Sequence, residues 1–172
     1  MDATLYWYAL TVRHQHERQV DRLLRLQGLD TLLPVYRSQR QWSDRIREVE
    51  SPLFSGYVFC RFGLCDKTRV EDTPGVVQIV KFNGVAAPID DCEIEEIRAI
   101  ARSGARLSPW PYLKAGDRVR VERGPLKGLE GVLLREGSEA RLVVGVELLQ
   151  RSIAAEVDPA VVVPLRKLAK GA

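Results

Sequence analysis

With 172 residues, 45% of them hydrophobic and 28% charged, the chain has room for one medium domain or two small ones and the balance of an ordinary soluble globular protein. No apolar tract is long enough to span a bilayer and no basic-then-apolar leader opens the chain, so a cytoplasmic protein without a membrane role is expected. The net charge of +3 is unevenly spread: residues 1–105 carry 14 Lys and Arg against 15 Asp and Glu, whereas residues 106–172 carry 12 against 8, a basic bias compatible with nucleic-acid contact.

"LYWYALTV" (5–12) is rich in aromatic and β-branched residues and predicts a strand. "HERQVDRLLRLQGL" then sets Val20, Leu23 and Leu24 at helical spacing, with Gly28 placed to stop the helix. "DTLLPVYR" (30–37) suggests a second strand, and the polar run "SQRQWSDRIREVE" an exposed hairpin or loop, in which Trp42 packs the turn in preference to stacking on a base. "SPLFSGYVFCRF" (51–62) reads as a strand that is apolar on both sides: Tyr57, Phe59 and Arg61 share one face, Val58, Cys60 and Phe62 the other. A further strand, "GVVQIVKF" (75–82), precedes "PIDDCEIEEIRAIARSG", where Asp90 or Asp91 caps a helix that carries Ile94, Ile97, Ile100 and Ala101 on one side and ends at Gly104.

This order predicts a mixed sheet with helices on one face. "SGARLSPWPYL" (103–113), with two prolines, a glycine and no periodicity, reads as a linker. Beyond it the pattern is pure strand: "DRVRVERG", "LEGVLLRE", "EARLVVGVELL", "RSIAAEV" and "AVVVPL", divided by "GPLKG", "EGS" and "DP". Five short strands with tight turns predict a small barrel. The fold class is therefore α+β, with a helix-covered sheet followed by a small all-β barrel.

The three cysteines, Cys60, Cys65 and Cys92, form no C-x-x-C pair, so reduced thiols are expected and neither a disulfide framework nor a zinc ribbon. "HQHE" offers two histidines without partners at ligand spacing, so no metal is expected. Nucleophile elbow, Walker loop and paired carboxylates are all missing, which argues against an enzyme and against a cofactor.

"GDRVRVERGPLKGLEGVLL" (116–134) resembles the KOW motif, a basic-hydrophobic strand, a Gly-Pro turn and a second strand, with Gly124, Gly128 and Gly131 punctuating the turns. Preceded by "WYALTVRHQHE", "SPLFSGYVFCRF", "TPGVVQIVKF" and "PIDDCEI" in that order, it makes nearly the whole chain resemble the NusG family of transcription elongation factors. "SPLFSGYVFCRF" and "KAGDRVRVERGPLKG" resemble its specialised paralogues, RfaH and the UpxY-like antiterminators, at least as closely as housekeeping NusG. The resemblance implies an NGN-like RNA polymerase-binding domain over 1–105, a linker over 106–113 and an SH3-like KOW domain over 114–172, in a monomer that binds the polymerase clamp helices, suppresses pausing and recruits further factors.

By the same resemblance the polymerase-facing residues are Phe54, Tyr57, Phe59 and Phe82, the alternative being that these aromatics complete the protein's own core. Arg13 and His14 stand where family members approach the non-template DNA strand, a role their chemistry suits, although solvated charge is an equal reading. Lys67, Thr68 and Arg69 lie near where paralogues touch the polymerase gate loop, in a loop shorter than that of RfaH. Leu149 matches the apolar position through which family members bind ribosomal protein S10 or Rho; a core leucine is the rival reading.

In RfaH the KOW domain can fold as a helical hairpin that masks the polymerase site, held partly by an acidic residue paired with an arginine. Arg141 matches that arginine, but Ser51 stands in the acidic position, and "RLVVGV" and "AVVVPL" are β-branched with a glycine and a proline that a helix tolerates badly. A β-barrel that leaves the aromatic face unlocked is expected. The rivals are a housekeeping NusG that assists Rho-dependent termination, and a ribosome- or RNA-binding KOW protein.

Overall fold

The computed structural model describes residues 4–42, 45–111, 116–136 and 138–165, the side chains of Arg40, Trp42 and Glu136 excepted. Two compact units divide the chain, Met1–Glu95 and Glu96–Ala172. The first holds β1 (Tyr6–Val12), α1 (Glu17–Leu26), β2 (Asp30–Leu32), β3 (Val35–Trp42), β4 (Arg45–Pro52), β5 (Tyr57–Phe62), α2 (Lys67–Glu71), β6 (Val76–Ile79), β7 (Lys81–Phe82), β8 (Val85–Ala86) and β9 (Pro88–Ile89). Helix α3 (Asp91–Arg102) crosses the division.

The main sheet of the first unit runs β2-β5-β1-β6, with β9 also paired to β1. Every one of these pairings is antiparallel, which corrects the expectation of a mixed sheet. Strands β1 and β2, joined through α1, do run the same way, but β5 lies between them, so the crossover leaves no parallel neighbours. Strands β6 and β9 share one edge of β1, and the β7–β8 hairpin loops out between them.

The two faces of this sheet are set by the register. Tyr8 opposes Cys60 and Leu10 opposes Val58 and Ile79; these residues, with Val12 and Phe62, form one core closed by Val20 and Leu24 of α1 and Val70 of α2. Helix α1 ends as its spacing predicts. Gly28 adopts φ +81 and Leu29 donates to the Leu24 carbonyl, the reversal that glycine makes without strain.

Some element boundaries differ from expectation. The stretch 30–37 is split at Pro34, which lacks the N–H needed to continue a ladder. Residues 51 and 52 close β4 instead of opening a long strand, and only Tyr57–Phe62 pairs with β1. Asp90 is the cap of α3, its Oδ1 accepting the Cys92 N–H at 2.8 Å.

In the second unit β10 (Leu107–Pro111), β11 (Asp117–Val121), β12 (Glu130–Glu136), β13 (Glu139–Val146), β14 (Arg151–Glu156) and β15 (Val162–Pro164) form one antiparallel sheet, ordered β10-β14-β13-β12-β11-β15. Its core is Val119, Val121, Leu142, Val144, Val146 and Ile153, all buried. The expected linker over 106–113 is corrected at Leu107–Pro111, which pairs with β14; residues 112 and 113 lie outside the described residues. Pro109 and Pro111 fit because β10 is an edge strand with one side unpaired. Gly131 lies within β12 and not in a turn: a Cβ there would meet the Val143 carbonyl oxygen at 2.6 Å.

Candidate interaction surface

One end of the β1–β5 pair gathers several of the expected site residues. Thr11 opposes Tyr57, Val12 donates to the Gly56 carbonyl and Arg13 donates to the Gly75 carbonyl, each of these two bonds 2.9 Å long. Arg13 and His14 are exposed in the turn that leads into α1. Three segments thus meet at that turn, and Gly75 permits it: φ is +99, and an added Cβ would lie 2.8 Å from Val20 Cγ2 and 3.2 Å from His16 Nδ1.

A residue that sequence reasoning missed holds the Tyr57 end in place. Glu17, buried in the first turn of α1, accepts the Gly56 N–H through Oε1 at 2.9 Å. A carboxylate at a helix start also suits the helix dipole, so one side chain serves both the helix and the turn before β5. Its partner lies 39 residues away in the chain, which no local pattern reveals.

The four aromatics divide. Phe54 and Phe59 are buried, at 1% and 0% exposure, with ring centroids 5.3 Å apart and planes at 87°. The expectation of an exposed aromatic face is therefore corrected at these two positions: they are core. Phe59 shares its sheet face with Trp7, Ala9 and Ile89, and all four are buried. Tyr57 is half-buried at the strand's start. Phe82 is 67% exposed and opposes Val85, 71% exposed, across the β7–β8 hairpin. Asn83 and Gly84, both at positive φ, make the two-residue turn that presents this apolar pair.

Lys67, Thr68 and Arg69 open the short helix α2. Lys67 is half-buried and Thr68 exposed. Arg69 donates to the Gln27 carbonyl at the end of α1 and pairs with Asp66 at 3.7 Å, so its charge serves a helix C-terminus. Leu149 is buried, at 9% exposure, in a single helical turn between β13 and β14, as the core reading requires.

Arg141, which matches the arginine of the masking ion pair in RfaH, and Glu50, the acidic residue next to Ser51, each have partners within their own unit. Glu50 accepts from Arg18 at 3.1 Å and lies 3.8 Å from Arg37. Arg141 bonds Glu139 at 2.9 Å and stacks over the Trp110 ring at 5.1 Å. Among the described residues no group of three or more His, Cys, Asp or Glu is placed to hold a metal ion, and no helix is long and apolar enough to cross a membrane.

A family model described as "Transcription termination factor nusG" matches residues 5–98, more than half of the chain. The chain belongs to the NusG family. Among relatives, the transcription termination/antitermination protein NusG of Borreliella burgdorferi is 24% identical over 88% of this chain and 94% of its own length. The protein of the same name from Lactococcus lactis subsp. lactis is 23% identical over 88% and 89%. A solved structure described as "Domain interaction in Thermotoga maritima NusG" superimposes with a TM-score of 0.55 at 20% identity, over 92% of this chain and 96% of that one, a likeness of fold. The NusG fold so matched covers both units, the sheet with its helices and the six-stranded antiparallel sheet.

Proposed function

We propose that this chain is a transcription termination/antitermination factor that rides on RNA polymerase: the first unit binds the clamp helices and suppresses pausing, and the KOW barrel recruits a second machine such as ribosomal protein S10 or Rho. The family match over residues 5–98 supports the transcriptional role. The observation that carries the polymerase contact is the exposed Phe82–Val85 pair at the tip of an ordered hairpin, since a contiguous apolar projection on a soluble protein marks an interaction site.

In this reading Phe82 and Tyr57 touch polymerase, while Phe54 and Phe59 form the rigid floor that positions Tyr57. Arg13 and His14 reach the non-template strand from the turn beside it. Binding energy spent on one conformation of the polymerase lowers the population of its paused state. No bond is made or broken by the factor itself.

A single-round elongation assay tests this. The full chain shortens dwell at a defined pause, and Phe82→Ala, losing an anchor worth roughly 2 kcal/mol, shifts the half-effective concentration up by about 30-fold. Unchanged pausing with the unaltered chain at saturating concentration would reject the role.

A further inference from the structure

Strand β10 pairs with β14 from Leu107↔Ala155 to Pro111↔Arg151, and its prolines fit that register. The Glu156 N–H donates to the Arg106 carbonyl at 3.0 Å, which makes 106 and 156 a hydrogen-bonded pair. Antiparallel pairs alternate, so Ser108 and Trp110 turn their N–H groups towards β14, while Leu107, Pro109 and Pro111 stand where an N–H would face the open edge. Both prolines therefore occupy positions at which the ladder uses no N–H. A slip of one residue would bring them to the inner side and remove ladder bonds.

This register-specific strand is nevertheless peripheral to the sheet it joins. It lies at the edge, and the order β14-β13-β12-β11-β15 stays contiguous without it. None of the β10 residues is fully buried, whereas Ser152, Ile153, Ala154 and Ala155 of β14 all are. The side-chain contacts that hold it are Arg106 to Glu156, an exposed ion pair at 3.7 Å, and Trp110 beneath the Arg141 guanidinium, 5.1 Å from the ring centre. Contacts of this kind are individually weak. A strand with ladder bonds but little buried surface opens far more readily than the core strands do.

We propose that β10 is a detachable strap that sets the length of free chain between α3 and the remaining strands of the second unit. Docked, it leaves only residues 103–106 between the end of α3 at Arg102 and Leu107, a reach of at most about 18 Å at roughly 3.6 Å per residue. Slack is reduced further, since Ser103 Oγ donates to the Ile100 carbonyl at 2.7 Å and accepts the Ala105 N–H at 3.1 Å. Released, the strap frees residues 103–116 before β11 begins at Asp117, a reach of up to about 54 Å, with the other five strands still paired. Pro109 and Pro111 restrict the released strand to extended backbone, which lowers the entropy lost when it docks again. Short and long tethers thus differ by one edge strand, whatever the two units bind.

Amide hydrogen exchange and amide NMR relaxation on the free, full-length chain test the strap. In the unaltered chain the Ser108 and Trp110 amides should be protected, yet exchange about tenfold or more faster than those of the central strand β13. Ser108→Pro removes an inner N–H. It should speed exchange at Trp110 by about tenfold or more, leave β13 within about threefold, and shorten the rotational correlation time of the β11 to β14 amides. Leu107→Pro removes an N–H that faces the open edge and should leave Trp110 exchange within about threefold. Exchange of β10 in step with β13, in the unaltered chain or in Ser108→Pro, would make β10 an integral strand and overturn the proposal. So would unprotected β10 amides in the unaltered chain, equal effects of the two proline variants, or an unchanged correlation time once Trp110 is released.

Discussion

The rings of Phe54 and Phe59 meet edge to face, 5.3 Å between centroids, and both are buried. Their geometry is that of a favourable aromatic pair. It separates two kinds of aromatic in one short segment: those that build the surface and those that form it.

Phe59→Ala removes a fully buried ring and is expected to destabilise the first unit by about 3–5 kcal/mol, read from its urea or thermal transition. Phe82→Ala, on an exposed hairpin, should shift that transition by no more than about 0.5 kcal/mol. The reverse order of the two effects would mean that Phe59 is surface and Phe82 core.

Glu17→Ala leaves the Gly56 N–H without its acceptor beneath the turn before Tyr57. The cost expected is about 1–3 kcal/mol. Glu17→Gln keeps an acceptor oxygen at the same place and should recover part of it. An alanine variant as stable as the parent would show that water replaces the carboxylate.

Gly75→Ala forces a Cβ into a left-handed backbone and against Val20. Destabilisation of about 1–2 kcal/mol from the backbone alone is expected, with more from the clash. Because the Gly75 carbonyl holds the Arg13 N–H, the variant should also lower DNA crosslinking from position 13 in an elongation complex. Normal crosslinking at full stability would disconnect this loop from the turn.

Burial pushes the Cys60 thiol from its ordinary 9.0 up to about 12, with the carboxylates of Asp30, Asp21 and Asp66 adding to the shift. Above pH 9 the unfolded chain gives up this proton while the native chain keeps it, so the unfolded state binds fewer protons and stability falls as pH rises from 9 towards 12. Below pH 9 both states hold the proton and the contribution is flat. Comparing the pH dependence of unfolding with that of Cys60→Ala checks the sign: the parent should decline more steeply. Thiol titration of the native protein should find Cys65 and Cys92, which are exposed, and reach Cys60 only in denaturant.

Much of the fold was legible from spacing alone. Ile94, Ile97 and Ile100 mark α3, and all three are buried; alternation and tight turns mark β11 to β15. Helix α2, five residues long, is too short to show a period. Strand β10 was hidden by prolines that only an edge position tolerates. The "NG" of residues 83 and 84 is a strong hairpin signal that ends the strand run of 75–82, and it presents Phe82. The burial of Phe54 and Phe59 could not be read in advance, because alternation assigns residues to faces without saying what covers a face.

The proposed contact between Phe82 and the polymerase clamp is tested most directly by photo-crosslinking. A benzoylphenylalanine installed in place of Phe82 in the full chain, bound to an elongation complex and irradiated, should give crosslinks that map to the clamp helices, with fewer when the unaltered chain competes. Crosslinks confined to other polymerase surfaces, or none from a complex shown to contain the factor, would contradict it.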